Sequence, residues 1–207
     1  MTTRDPEATK GRLLAAAMRE FSAKGIAGAR VDAIAEKAAT NKRMLYYYFE
    51  SKDGLFRQIL RRRLIRGFEA IRGATMPRKH DMSSLQEYFI ANRDYVRLLM
   101  WEALETSPRR PVEEEEGRRE LYRQRVESIG AEQAAGVVDR RLDPAQLLLS
   151  ELAMTIFPAA FPQVTRLVTG FNVTDKEFVE QRLAFFAALA DVLAPTPAEA
   201  PSDGDGS

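Results

Sequence analysis

The sequence predicts an all-α chain, with a small three-helix unit at the N-terminus and a larger helical body after it. Three observations carry that prediction. Apolar residues recur at helical spacing through most of the chain, and no segment alternates as a strand would. The pauses in the pattern are helix starts and stops: Asn41, Ser51 and Asp143-Pro144 open helices, and Gly25 suits the end of one. Two short helical patterns are also separated by only three residues, Ala39, Thr40 and Asn41, which is the spacing of a helix-turn-helix.

Leu13, Leu14, Ala17 and Phe21 give the first helix, Thr9 to Lys24, one apolar face. Val31, Ile34, Ala35 and Ala38 fall at i, i+3, i+4 and i+7 and define the second. Asn41 is the expected N-cap of the third. Ser51 is expected to cap a fourth, running from Lys52 through Leu55, Phe56, Ile59, Leu60, Leu64 and Phe68 to about Thr75. A linker-like break follows around Pro77. Helical pattern resumes from Ser84 to about Thr106 and pauses where Pro108 and Pro111 interrupt. A strongly charged helix is expected from Val112 to about Gly136, its opening run Glu113 to Glu116 complementing the helix dipole. Asp143 and Pro144 then open an apolar helix expected to stop near Pro158 and Pro162. The last helix starts at Thr174-Asp175 and carries Phe178, Leu183, Phe185, Phe186, Leu189 and Val192. Past Ala194 no apolar pattern remains, and a disordered tail is expected. These boundaries divide the chain into 1–51, 52–194 and 195–207.

A hydrophobic content of 45% over 207 residues supports real cores and excludes wholesale disorder. No apolar run approaches the ~18 residues that span a bilayer, and MTTRDPEATKGR lacks the apolar centre of a signal peptide. The expectation is a soluble, cytoplasmic protein with no membrane partner. With no Cys and a lone His80 in the linker, nucleophilic and imidazole catalysis have almost no candidates. Glu102 and Glu105 form a carboxylate pair, but no phosphate loop or metal-ligand spacing accompanies them. No enzyme, cofactor or metal site is expected.

Net charge is only +1, yet it is unevenly distributed. Residues 1–63 hold 14 Lys/Arg against 7 Asp/Glu, and residues 64–207 hold 17 against 23. A basic head on an acidic body suits a nucleic-acid reader. On the third helix, Lys42, Arg43, Tyr46 and Tyr47 project to one side, and Leu45, Tyr48 and Phe49 to the other. Two cations and two phenols are poor material for a core and well suited to a DNA groove.

Within this stretch the residues G-x-x-x-x-x-V-x-x-I-A-x-x-A, a three-residue turn, and then x-x-x-L-Y-Y-Y-F-x-S-K-x-x-L-F resemble the DNA-binding domain of TetR-family transcriptional regulators over roughly residues 7–60. Leu45 to Phe49 with Ser51-Lys52 and Leu55-Phe56 is the most specific part. Ala39 and Thr40 stand where the family usually has Gly and an aliphatic residue, and Arg43 replaces a residue that is often small. Ala29 and Arg30 precede Val31 where a capping hydroxyl is common, a loss of about 1 kcal/mol that Asp32 in the first turn partly offsets. These departures bear on the operator sequence.

The resemblance implies an N-terminal helix-turn-helix DNA-binding domain and a C-terminal helical ligand-binding and dimerisation domain. Its DNA-contact positions fall on Arg30, Thr40, Lys42, Arg43, Tyr46, Tyr47 and Lys52. Arg43 suits guanine O6 and N7, worth roughly 1–3 kcal/mol of discrimination, and the tyrosines suit phosphate and sugar. Lys52, a cation in the first turn of a helix, opposes the dipole and asks for an anion such as a DNA phosphate. Phe89, Tyr95, Met100, Trp101, Leu104, Tyr122 and Phe157 are the candidates to line an effector pocket. The last two helices carry more apolar residues than one face needs, as a homodimer interface would require. The implied partners are a second copy of the chain, double-stranded operator DNA read as a palindrome, and a small effector of apolar character. The alternative is a helical interaction module that binds nucleic acid without sequence preference.

Overall fold

The computed structural model describes residues 5–72, 82–105, 112 and 115–195. They form α1 (Pro6–Gly28), α2 (Val31–Lys37), α3 (Lys42–Phe49), α4 (Lys52–Arg72), α5 (Ser83–Ala91), α6 (Arg93–Glu105), α7 (Glu115–Ala134), α8 (Pro144–Ala160), α9 (Pro162–Thr169) and α10 (Lys176–Leu193). No strand occurs among the described residues. The expected break around Pro77, with His80, the interruption at Pro108 and Pro111, and the tail after Pro195 lie outside them.

Side chains fix four of the helix starts. Asp5 accepts from the Glu7 N–H at 3.0 Å, Asn41 from Met44 at 3.1 Å, Ser51 from Gly54 at 2.9 Å, and Asp143 from Gln146 at 2.9 Å. Arg30 precedes α2 without such a bond, as its side chain predicts. The α3–α4 corner is very tight. Glu50 adopts φ 63°, the Ser51 N–H donates to the Phe49 carbonyl at 2.6 Å, and a Cβ on Gly54 would sit 2.2 Å from that same carbonyl oxygen.

One core runs from head to body. Leu13, Ala17 and Phe21 of α1, Ile34 of α2, Leu45 and Phe49 of α3, and Leu55, Phe56 and Ile59 of α4 are buried together. The same cluster continues into Leu85, Phe89, Tyr95, Val96 and Leu98 of α5 and α6. Phe21 and Phe56 meet edge to face, centroids 5.4 Å apart. A second, smaller cluster of Ile129, Val138, Leu147 and Leu148 joins α7 to α8.

Gly25 takes φ 68° and interrupts the helical backbone, as expected of a glycine at a helix end, and a further helical turn carries α1 on to Gly28. Two boundaries differ from the sequence expectation. The segment expected as one helix from Ser84 to Thr106 breaks at Asn92, whose side-chain amide donates to the Tyr88 carbonyl and whose oxygen receives Arg63. The apolar helix runs through Pro158 to Ala160, and α9 follows it at 91°. No single described helix is long and apolar enough to cross a membrane.

Candidate nucleic-acid interface

The short α3 is presented by packing from behind. Leu45 and Phe49 are buried, and Asn41 fixes the helix start. The opposite face is left in solvent, with Tyr47 75% and Tyr46 47% exposed and Lys42 and Arg43 exposed beside them. Tyr48 is half-buried, its ring edge-on to Tyr47 at 5.2 Å. Lys42 faces Asp32 at 3.4 Å, both well exposed, an ion pair weak enough to exchange for a phosphate. Thr40 is half-buried in the turn, its N–H on the Ala35 carbonyl at 3.0 Å. Ala39, in the position the family usually gives to Gly, takes φ 50°, a conformation that costs a residue with a Cβ roughly 1–2 kcal/mol.

Lys52 opens α4 half-buried, and its ammonium donates to the Ala29 carbonyl at 3.3 Å. It therefore ties the end of α1 to the start of α4 as well as placing a cation there. Arg30 is exposed one residue further on. The frame holding these residues includes two groups the sequence reading did not single out. Arg12 donates from Nε to the Ala38 carbonyl at 3.1 Å, closing the C-terminal end of α2. Glu20, 1% exposed, accepts from Lys24 and from Lys37 of α2, each at 2.6 Å. Those two ammonium hydrogen bonds lower its carboxyl to about 2 against the opposing cost of burial. A buried Glu in an apolar helix face flanked by lysines was the signal available.

The seven candidate pocket residues stand in several places among the described residues. Met100, Trp101 and Leu104, the last 78% exposed, line a groove of about 510 Å³ with Ser22, Arg93, Asp94, Arg97, Ala159, Ala160 and Pro162. Phe89 and Tyr95 are core, stacked at 6.5 Å with their planes 15° apart. Burial pushes the Tyr95 phenol up. Tyr122 packs on the second cluster, and Phe157 is exposed against Phe161, 5.1 Å away. Helical spacing identified apolar residues but not which neighbouring helix each would meet. Arg118 and Glu102 form a largely buried pair at 2.7 Å between α7 and α6. Among the described residues no group of three His, Asp or Glu side chains is placed to hold a metal ion.

Comparison with known proteins agrees with this geometry. The family model for bacterial regulatory proteins, tetR family, matches residues 13–59, and that for a tetracyclin repressor-like C-terminal domain matches residues 82–191. The HTH-type transcriptional repressor SCO4008 of Streptomyces coelicolor is 34% identical over 170 residues, spanning 82% of this chain and 88% of the relative. The HTH-type transcriptional regulator RutR of Escherichia coli is 30% identical over 189 residues, spanning 86% and 87%. The solved structure of SCO4942 from Streptomyces coelicolor superposes with a TM-score of 0.72 at 27% identity, over 91% of this chain and 99% of that one. GusR of Salmonella enterica shares the fold at a TM-score of 0.66 and 18% identity, over 92% and 100%.

Proposed function

The chain belongs to the tetR family of bacterial regulatory proteins and is a helix-turn-helix DNA-binding transcriptional regulator, not an enzyme; from that premise we propose that it represses transcription as a homodimer on a palindromic operator and is released by a small molecule bound in its body. The observation that carries this is the exposed face of α3, where Lys42, Arg43, Tyr46 and Tyr47 stand in solvent on a helix anchored through Leu45 and Phe49. Such a helix enters the major groove, with Arg43 and Lys42 at its leading end reaching base edges or phosphate and the phenols reaching the backbone. Arg30 and Lys52 flank it as phosphate contacts, and Thr40 as a polar contact from the turn.

Dimerisation is supported by apolar side chains left in solvent on α8, on α10 and at the α8–α9 corner: Leu149, Phe157, Phe161, Phe185 and Val192. A two-fold axis through those helices would set two copies of α3 on half-sites about 34–36 Å apart. The name of the Streptomyces relative supports repression as the sign of control. The test is selection from a randomised duplex pool, with retained sequences read out. Enrichment of an inverted repeat is the expected result. Retention with no enriched sequence would sink the reading in favour of a non-specific basic surface.

A further inference from the structure

The kink in α1 is closed by the body, and the closure forms one wall of the groove beside it. Gly25 at φ 68° interrupts the helical ladder, so the Ser22 carbonyl, whose helical partner lies beyond the kink, must find donors elsewhere. It finds two on α6: Arg97 Nε at 3.0 Å and Trp101 Nε1 at 3.2 Å. The fit leaves no slack, since a Cβ on Gly25 would lie 2.4 Å from Glu105 Oε1 and 3.0 Å from the Trp101 ring. The residues that hold α1 in place also line the groove: Ser22, Arg97 and Trp101, with Arg93, Met100 and Leu104.

The groove carries a cationic edge over an apolar floor. Among the described residues Arg93 has no ion-pair partner, and Arg97 makes a bond only through Nε, leaving its two Nη groups free to grip an anion. The carboxylate in the groove lining, Asp94, is taken by Arg63 at 3.4 Å and by the Tyr95 N–H at 2.9 Å. Trp101, Met100 and Leu104 offer a flat aromatic face and flexible apolar cover. A groove of about 510 Å³ is of small-molecule size.

We propose that this groove is the effector site and that it takes an aromatic carboxylate, the carboxylate on Arg97 and Arg93 and the ring on Trp101. This rests on the ligand-responsive reading above and adds the place, the ligand class and the route of coupling. Such a ligand, its carboxylate on the Nη groups of Arg97 and its ring against Trp101, pulls on the same two side chains whose Nε and Nε1 hold the Ser22 carbonyl. It thereby loosens the kink of α1, the helix that supplies Leu13, Ala17 and Phe21 to the core behind α3. Because coupling between two binding sites is reciprocal, ligand lowers DNA affinity by the same factor that DNA lowers ligand affinity, about tenfold or more.

Trp101 is the only tryptophan in the chain, so its single indole N–H resonance reports on this groove alone. The experiment titrates 2-naphthylacetate, and separately its uncharged amide, into the nitrogen-15-labelled full-length protein, with DNA affinity measured by anisotropy in parallel. The acid is expected to shift the indole resonance saturably and to weaken DNA binding, and the amide to do neither at the same concentration. Arg97→Gln and Arg93→Gln are each expected to weaken the acid about tenfold, the loss of one charge-assisted contact. Both residues are exposed, and the unchanged dispersion of the remaining spectrum checks the fold. No shift with the acid, or equal shifts with acid and amide, overturns the site or its anion selectivity. A shift without loss of DNA affinity overturns the coupling. Failure of the free protein to bind any duplex specifically instead overturns the regulator reading, independently of the indole titration.

Discussion

The Lys52 ammonium donates to the Ala29 carbonyl at 3.3 Å and occupies the first turn of α4, whereas Arg43 on α3 is exposed and, among the described residues, has no hydrogen bond or ion pair that fixes it. The two cations should therefore fail differently when removed. Lys52→Ala should weaken binding to every duplex and reduce the salt dependence of log K against log salt by about one. Arg43→Ala should also flatten the preference among operator variants, by roughly 1–3 kcal/mol at the position it reads. Anisotropy titrations at several salt concentrations on matched and mismatched duplexes separate the two, and equal loss of specificity from both would refute the division. Glu20 gives a pH prediction at the same scale. Its carboxyl is held at about 2 against an ordinary 4.5, chiefly by the Lys24 and Lys37 hydrogen bonds, so the folded state binds its proton less readily than the unfolded chain. The stability it contributes is complete above the unfolded value and is lost as pH falls from about 4.5 towards 2. Urea unfolding across that range should show a shallower pH dependence for Glu20→Gln than for the parent; the same slope in both would contradict the assignment.

Pro158 lies inside α8, where a proline supplies no N–H to the carbonyl four residues back, and the sequence alone therefore argues for a helix end there. The helix continues because α10 replaces the missing donor: Arg182 Nη2 bonds the Met154 carbonyl at 2.8 Å. Its guanidinium lies 4.5 Å from the centre of the Phe186 ring and 5.2 Å from that of Phe185. Arg182→Met keeps much of the packing but leaves a carbonyl without a partner, which should cost on the order of 1–3 kcal/mol. Pro158→Ala in that background should recover most of the loss, because alanine at this position restores the missing backbone N–H. Urea midpoints for the two single variants and the double form the cycle, and additive effects would rule out the compensation. This pair also marks the limit of what the sequence disclosed about elements. Caps such as Asn41, Ser51 and Asp143 are local, each made by a side chain to a backbone N–H three residues on, and they were legible. The break at Asn92 depends on Arg63 of α4, the passage through Pro158 on Arg182 of α10, and the closing of the Gly25 kink on Trp101 and Arg97 of α6. Contacts over such separations leave no periodicity to read. The exposed face of α3 was visible for the opposite reason: amphipathicity within eight residues already sorts Lys42, Arg43, Tyr46 and Tyr47 from Leu45 and Phe49.

At the scale of the whole molecule, the unbalanced feature is the apolar surface that α8 and α10 leave in solvent. Leu149 at 62% and Phe157 at 47% exposure lie two turns apart on α8, and Phe185 at 47% and Val192 at 77% lie two turns apart on α10. Spacings of about two helical turns keep each pair within one stripe. Two such stripes match the isologous four-helix contact that a two-fold axis makes from α8, α10 and their copies. Replacing one apolar residue on each stripe by a like charge sets carboxylates against one another across the axis while leaving each monomer's own core untouched. Leu149→Glu with Phe185→Glu should therefore shift the mass measured by light scattering from dimer to monomer without loss of helical circular dichroism. Operator binding should follow. A single head forms only half of the phosphate and base contacts, so the added affinity of a palindrome over one half-site should vanish in the variant while weak, salt-sensitive half-site binding persists. A double variant that remains a dimer and still prefers the palindrome would place the two-fold contact on another surface, and with it the spacing at which two copies of α3 can meet DNA.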